Sequence, residues 1–215
     1  MPHYMVELVL VRRPLLVVGG GRVAGRKIAG LLACQARVTV VAPELVDPQV
    51  AAWVEEGVVD HRPERFSEAA LEWTPRPVLV FAATGEAALN REVARLCAGR
   101  GILCNSADDP ACSGFLVPAV ARRGPVSVGV GTGGLSPALS RLLKERLDGW
   151  LEPGWGRLAV CFGAWRGRVT ATIPEGEQRQ RFWRQAALEA VEQGCLEGEE
   201  QDLWLEERLE HHRER

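Results

Sequence analysis

The chain has 215 residues, 47% of them apolar and 25% charged, with a formal charge of −2. That length buries a sizeable core and holds one full domain plus a smaller one, and the composition excludes disorder and fibrous repeats. The near-neutral charge provides no general attraction to nucleic acid or anionic membrane, and no window is long enough to span a bilayer.

The first apolar stretch, Val6 to Val11, is short, carries Glu7 and is followed by Arg12 and Arg13, so it does not read as a signal peptide. Leu15-Leu16-Val17-Val18 then reads as a buried strand running into Gly19-Gly20-Gly21, which opens the helical stretch Arg22-Val23-Ala24-Gly25. In a dinucleotide-binding βαβ unit the first glycine makes the tight turn, the second lets the backbone approach a pyrophosphate, and a small third residue keeps helix and sheet close. Here those positions are Gly19, Gly21 and Ala24, with Gly20 between them. The second strand, Arg37 to Ala42, leads into Pro43-Glu44 about twenty residues beyond the turn, where a carboxylate bonds the ribose 2′-OH and repels a 2′-phosphate. The expected cofactor is NAD rather than NADP. A plain tight turn is the alternative for the glycine triplet.

The βα alternation continues with a helix from Leu45 to Glu56, a short strand starting at Gly57-Val58-Val59, and a buried strand from Pro77 to Thr84. A helix from Glu86 to Ala98 and a strand at Ile102-Leu103-Cys104, ending at Asn105, complete five strands of a doubly wound parallel sheet, a Rossmann-type α/β fold. Ligands of such sheets collect at the carboxyl ends of the strands. The polar groups expected there are the glycine turn, Glu44, Thr84, Asn105 and Asp108. A carboxylate at position 108 is suited to taking a proton as a substrate loses hydride. The alternative is that Asn105 and Asp108 only satisfy a turn or cap a helix.

Phe115 to Ala121 and Val126 to Val130, joined by Arg122-Arg123-Gly124-Pro125, read as an antiparallel hairpin whose edges a partner chain would cover. Gly131-Thr132-Gly133-Gly134-Leu135 leads to Ser136 as N-cap and Pro137 at the first helical position, with Leu139, Leu142, Leu143, Leu147 and Trp150 along one face. This entry is either an anion site, with Arg122, Arg123, Arg141, Lys144 and Arg146 in reach, or a plain cap. Beyond Leu151, Leu158 to Val169 fits one helix and Phe182 to Val191 another that closes at Gly194. The charged tail from Leu196 reads as a frayed helix, with His211 and His212 set aside as a remnant foreign to the function. The organisation expected is therefore residues 1–113 for the nucleotide, 114–150 for dimerisation and 151–215 as a helical domain. Cys34, Cys97, Cys104, Cys112, Cys161 and Cys195 show no paired spacing and read as reduced, mostly buried thiols of a cytoplasmic protein. His3, His61, His211 and His212 are scattered, no permanent metal site is visible, and His61 reads as a surface residue.

The strings VVGGGRVAGRK, VTVVAPE, VFAAT, CNSADDPACSGFLVPAVARRGPVSVGVGTGG and LSPALSRLLKERL resemble the precorrin-2 dehydrogenase and sirohydrochlorin ferrochelatase family, the siroheme-synthase N-terminal module. The resemblance covers roughly residues 4 to 195 and joins an N-x-x-D motif, a Pro-Ala hairpin and a G-G-x-S-P helix entry to the glycine turn. It implies a homodimer that uses NAD⁺ to oxidise precorrin-2 to sirohydrochlorin, with some members also inserting Fe²⁺ to give siroheme. Asp108 matches the aspartate held to be central to dehydrogenation and implicated in chelation. Arg22 and Val23, and Pro43 and Glu44, match cofactor-contacting pairs. A substrate with eight carboxylates suits Thr132, Gly133, Gly134, Ser136, Arg122 and Arg141. Precorrin-2 is expected between the nucleotide domain and the helical region of the dimer.

Three departures stand out. Ser106-Ala107 replaces a valine-like pair and is expected to loosen the packing of Asp108; Leu135 replaces a frequent threonine; Thr132 stands where some members carry a phosphorylated serine. The methyltransferase domain of fused siroheme synthases is not expected in this chain. Two other classes compete: a nucleotide-sensing module without catalysis, and a ferrochelatase without dehydrogenase activity.

Overall fold

A computed structural model describes residues 3–193 and 199–213, which divide into two compact units, Met1–Val117 and Pro118–Arg215. The first unit is built on five parallel strands, β1 (Pro14–Val18), β2 (Arg37–Val41), β3 (Val59–Arg62), β4 (Leu79–Ala82) and β5 (Leu103–Ser106), in the order β3-β2-β1-β4-β5. Helices α1 (Arg22–Leu32), α2 (Pro48–Glu55) and α3 (Ala87–Ala98) form crossovers, while β3 and β4 are joined through a short 3₁₀ turn at Glu68–Glu72.

Alternation along the strands builds two cores. Leu15, Val17, Val38, Val40 and Phe81 pack with Ile28, Leu31 and Val50 on one face. Leu16, Val18, Val80, Ala82 and Cys104 pack with Leu71, Val93, Leu96 and Cys97 on the other. With both faces covered, β1 and β4 are apolar throughout, as their sequences require. Strand order reverses between β1 and β4, in register Val17 to Phe81 and Val18 to Ala82, so their carboxyl ends lie side by side.

Several boundaries move for local reasons. Gly57, with φ +70°, ends the helix before it, so the third strand starts at Val59 and not at Gly57. Asp47 caps α2 by accepting from the Gln49 N–H at 3.0 Å, which starts that helix at Pro48 rather than Leu45. The fifth strand takes in Asn105 and Ser106, hydrogen-bonded to β4. Phe115 is not a hairpin residue: its ring meets Phe81 edge-on, centroids 5.3 Å apart, and belongs to the sheet's core.

In the second unit, β6 (Ala119–Arg123) and β7 (Val126–Val130) form the antiparallel hairpin, with Gly124 at φ +55° in its turn. Helices α4 (Pro137–Trp150), α5 (Pro153–Thr172), α6 (Gly176–Glu192) and α7 (Glu199–Arg213) follow. Cys161, Trp165, Val169, Phe182, Ala186, Leu205 and Leu209 make its core. The tail is therefore a packed helix and not a frayed one. Leu205 is completely buried, Asp202 accepts the Trp165 indole N–H at 2.5 Å, Arg208 pairs with Glu189, and the His212 ring lies against Phe182. Tertiary packing supplies what the charged sequence of α7 lacks. The proposed closure at Gly194 and Cys195 lie outside the described residues.

Candidate functional site

The three glycines at the switch point are not equivalent. Gly19 has φ +119°, and a Cβ there would lie 2.4 Å from the Ala83 carbonyl oxygen, so the turn presses directly on the end of β4. A Cβ on Gly20 would lie 2.3 Å from the Glu44 carbonyl oxygen, and the Gly20 carbonyl accepts from the N–H groups of Val46 and Asp47. Glu44 is thus held beside the turn, exposed together with Pro43. Close helix packing is provided by Gly25, whose Cβ would strike the Asp47 carboxylate, while Ala24 is simply buried in the core.

Gly21 differs from both neighbours. It is the N-cap of α1 in extended backbone (φ −94°, ψ −179°), and a Cβ there would meet nothing within 4 Å. No side chain caps α1 and its first turn carries no acid. The opening N–H groups of a helix have no intrahelical acceptor, so this end presents free donors and the positive pole of the helix dipole to open space. Exposed Arg22 and Val23 flank it. The arrangement fits a pyrophosphate.

The tips of β4 and β5 form the other half of the site. Asn90 of α3 is fully buried; its Oδ1 accepts from the Thr84 N–H (3.0 Å) and the Thr84 hydroxyl (2.8 Å), and its Nδ2 donates to the Thr84 carbonyl (3.2 Å) and to Asp108 Oδ1 (3.1 Å). The Ser106 hydroxyl donates to the same Asp108 oxygen at 2.8 Å. The Ser106 hydrogen bond, opposed by slight burial and aided by Asn90, holds the Asp108 carboxyl below its ordinary range. Contrary to the loosening expected at Ser106-Ala107, Ser106 is buried and ties the carboxylate down. Asp108 itself is exposed, two residues beyond β5.

Asn105 donates from Nδ2 to the Phe115 carbonyl at 3.0 Å, and its Oδ1 is buried without a hydrogen-bond donor. Thr84's hydroxyl is engaged at the start of α3. Lys27, over the Phe81 ring at 5.9 Å, is held below its ordinary pKa by burial and then by Arg26. Sequence reading missed Asn90, although an asparagine between Leu89 and Val93 on the inward side of a helix was a usable signal.

In the second unit the Gly131–Pro137 entry is closed by its own hydroxyls. Ser136 Oγ accepts from the Leu139 N–H at 3.3 Å, and Thr132 Oγ1 accepts from the Ser136 N–H at 3.1 Å and lies 3.1 Å from Ser140 Oγ. Gly133 and Gly134, at φ +62° and +81°, form the exposed bend. Arg141 pairs with Glu145 at 3.1 Å on the outer face of α4, and Arg122 is exposed on the hairpin. The site residues therefore fall into two sets, each assembled within its own unit. His61 is half-buried, its Nε2 2.9 Å from the Ala42 carbonyl. Among the described residues no helix is long and apolar enough to cross a membrane.

Strand order, a glycine turn at the point of reversal and an open helix start define the first unit as a Rossmann-type dinucleotide-binding fold. Residues 7–119 match the family model described as NAD(P)-binding, and residues 154–209 match the sirohaem synthase dimerisation region. The chain belongs to this NAD(P)-binding family, as the resemblance of its motifs to the siroheme-synthase module implied. It is 40% identical over 200 residues to the siroheme synthase of Thioalkalivibrio sulfidiphilus, covering 93% of this chain and 40% of that protein. It is 38% identical over 185 residues to that of Escherichia coli, covering 85% and 39%. The chain thus spans about 40% of the length of these relatives. Among solved structures, the precorrin-2 dehydrogenase SirC superposes with a TM-score of 0.73 at 26% identity, covering 96% of this chain and 98% of that one.

Proposed function

We propose that this chain oxidises precorrin-2 to sirohydrochlorin with NAD⁺, as a homodimer in the cytoplasm. The observation that carries the reading is the open, uncapped start of α1 at Gly21 in the same fold that holds the Asp108 carboxylate at the tips of β4 and β5. When bound, the nicotinamide supplies the hydride acceptor. The α1 N–H groups would hold its pyrophosphate and Glu44 would accept from the adenosine ribose, with Arg22, Val23, Pro43, Thr84 and Asn105 at the same turn and strand tips.

Oxidation removes a hydride and a proton from the macrocycle, giving NADH and H⁺. Asp108 is ionised at neutral pH, because Ser106 and Asn90 stabilise its charged form, and accepts that proton on Oδ2. The exposed guanidinium of Arg122, with Arg141, offers charge to substrate carboxylates, and Thr132, Gly133, Gly134 and Ser136 shape the loop that enters α4. The homodimer is supported by the match of residues 154–209 to a dimerisation region, and α4, whose Leu139, Leu142, Leu143 and Trp150 remain exposed in the single chain, offers a further apolar face for it beside the two-stranded hairpin. The cytoplasmic location rests on the described cysteines all being unpaired.

The test is NADH formation from precorrin-2 and NAD⁺, followed by Fe²⁺ addition to the sirohydrochlorin produced. NAD binding without NADH formation would identify a sensing module. Metal insertion without NADH formation would identify a ferrochelatase.

A further inference from the structure

We propose that Ser106 and Asn90 are positioning residues that clamp the Asp108 carboxylate by one oxygen, Oδ1, and present the other, Oδ2, to the substrate. The inference deepens the reading of Asp108 as proton acceptor and rests on it.

The clamp is asymmetric. The Ser106 hydroxyl and the Asn90 amide come from different elements, β5 and α3, and both donate to Oδ1, at 2.8 and 3.1 Å. No side-chain hydrogen bond to Oδ2 is present among the described residues. An exposed aspartate with free rotamers would divide its time among several directions; two donors converging on one oxygen select a single direction for the second. Both donors are themselves immobile. Asn90 is 0% exposed and spends its remaining capacity on Thr84, so its amide cannot flip without leaving the Thr84 N–H and carbonyl unpaired. Ser106 lies in β5, buried, with its N–H bonded to Ser113 Oγ at 2.9 Å.

The arrangement also links the two halves of the active site. Thr84 lies two residues beyond β4, and its neighbour Ala83 bears on Gly19 of the nucleotide turn, so Asn90 sets Asp108 against the turn's own support. The charge facing the carboxylate from α3 is Arg91, which adds to its ionisation after the two hydrogen bonds and its own backbone. Supporting contacts of this kind hold catalytic groups in the productive direction. A valine at position 106 would supply no donor, so half of the clamp is a property of this chain's own residue.

Three variants test the idea. Ser106→Ala removes one donor with little change in volume, Ser106→Thr restores it, and Asn90→Asp replaces the donor with an acceptor. The expected results for Ser106→Ala are NAD affinity within twofold, precorrin-2 KM within about threefold and kcat reduced roughly 10- to 100-fold, the range for a misplaced acid–base group. The acid limb of its rate profile moves to higher pH, and Ser106→Thr recovers most of both. The Asp108 carboxyl resonance, followed by carbon NMR without substrate, titrates at higher pH in Ser106→Ala than in the parent. Asn90→Asp places two carboxylates side by side and lowers kcat further. A Ser106→Ala enzyme with parental kcat, parental pH profile and an unmoved Asp108 titration overturns the clamp. Absence of activity in the parent, with the titration still shifting in the variant, overturns the dehydrogenase reading and leaves the clamp standing.

Discussion

Replacing Gly21 by aspartate should make the protein more stable and a far poorer nucleotide binder. Gly21 caps α1 with no side chain, its backbone is extended as aspartate prefers at that position, and its Cβ would have open space around it. An aspartate there accepts from a first-turn N–H and faces the positive end of the helix, a gain of about 0.5–1 kcal/mol. The same carboxylate stands where the pyrophosphate must sit. At roughly 5 Å and an effective dielectric of about 20, one added charge costs the anion about 3 kcal/mol, or about 100-fold in affinity. Gly19→Ala is the control in the opposite direction. It forces alanine to φ +119° and places a methyl 2.4 Å from the Ala83 oxygen, which together cost about 2–5 kcal/mol. Urea unfolding and NAD titration by calorimetry measure both quantities on each variant. Gly21→Asp binding NAD as the parent does, or unfolding at lower urea, would refute the assignment of this helix end to the cofactor.

Other expectations follow from the same geometry. Asp108→Asn keeps the size of the side chain but removes the acceptor, and NADH formation from precorrin-2 should fall at least about 100-fold with NAD affinity within a few-fold; turnover near the parent's excludes the residue from proton transfer. Because the folded carboxyl is held below its ordinary range, its stabilising contribution is complete above the unfolded value and lost only as pH falls through the folded one. Asp108 should therefore impose no acid limb on the rate above about pH 5, and a limb near neutrality would contradict its hydrogen bonding. Burial, and then Asp202, push the Cys161 thiol up to about 11, so roughly one molecule in a thousand is thiolate at pH 8; iodoacetamide should label Cys34 well before Cys161 in the native protein, as read by mass spectrometry. Leu205→Ala should destabilise the second unit by about 2–5 kcal/mol, measured by urea unfolding, since the side chain is fully buried in its core; an unchanged midpoint would mean that α7 contributes nothing. Leu142→Glu, at an exposed position of α4, should yield monomers in sedimentation velocity without loss of helicity, and a persistent dimer would move the interface elsewhere.

The nucleotide half of the protein was readable because its signals are local. Leu15 to Val18 is apolar on both faces, the glycines follow directly, and Ser136-Pro137 spells out a helix start whose cap the structure contains. Reading failed where a residue's role depends on a neighbour distant in the chain. Phe115 looked like a strand residue of the hairpin and packs instead on Phe81. Ser106 looked like a weakness beside Asp108 and is one of its two side-chain donors, the other coming from Asn90 eighteen residues away. The tail looked frayed because its apolar residues are few, yet Leu205 and Leu209 complete a core formed by α5 and α6.

Sequence alone determined the alternation of strands and helices, the glycine turn and the presence of Asn105 and Asp108 around the end of the fifth strand, because apolar periodicity and backbone-permissive residues act within a few positions of themselves. Tertiary structure alone decided the strand order that sets β1 beside β4, the distinct duties of Gly19, Gly20 and Gly21, and the direction in which Asp108 is held. Those outcomes depend on which atoms meet across the sheet, and contacts between residues far apart in the chain leave no periodic trace in it.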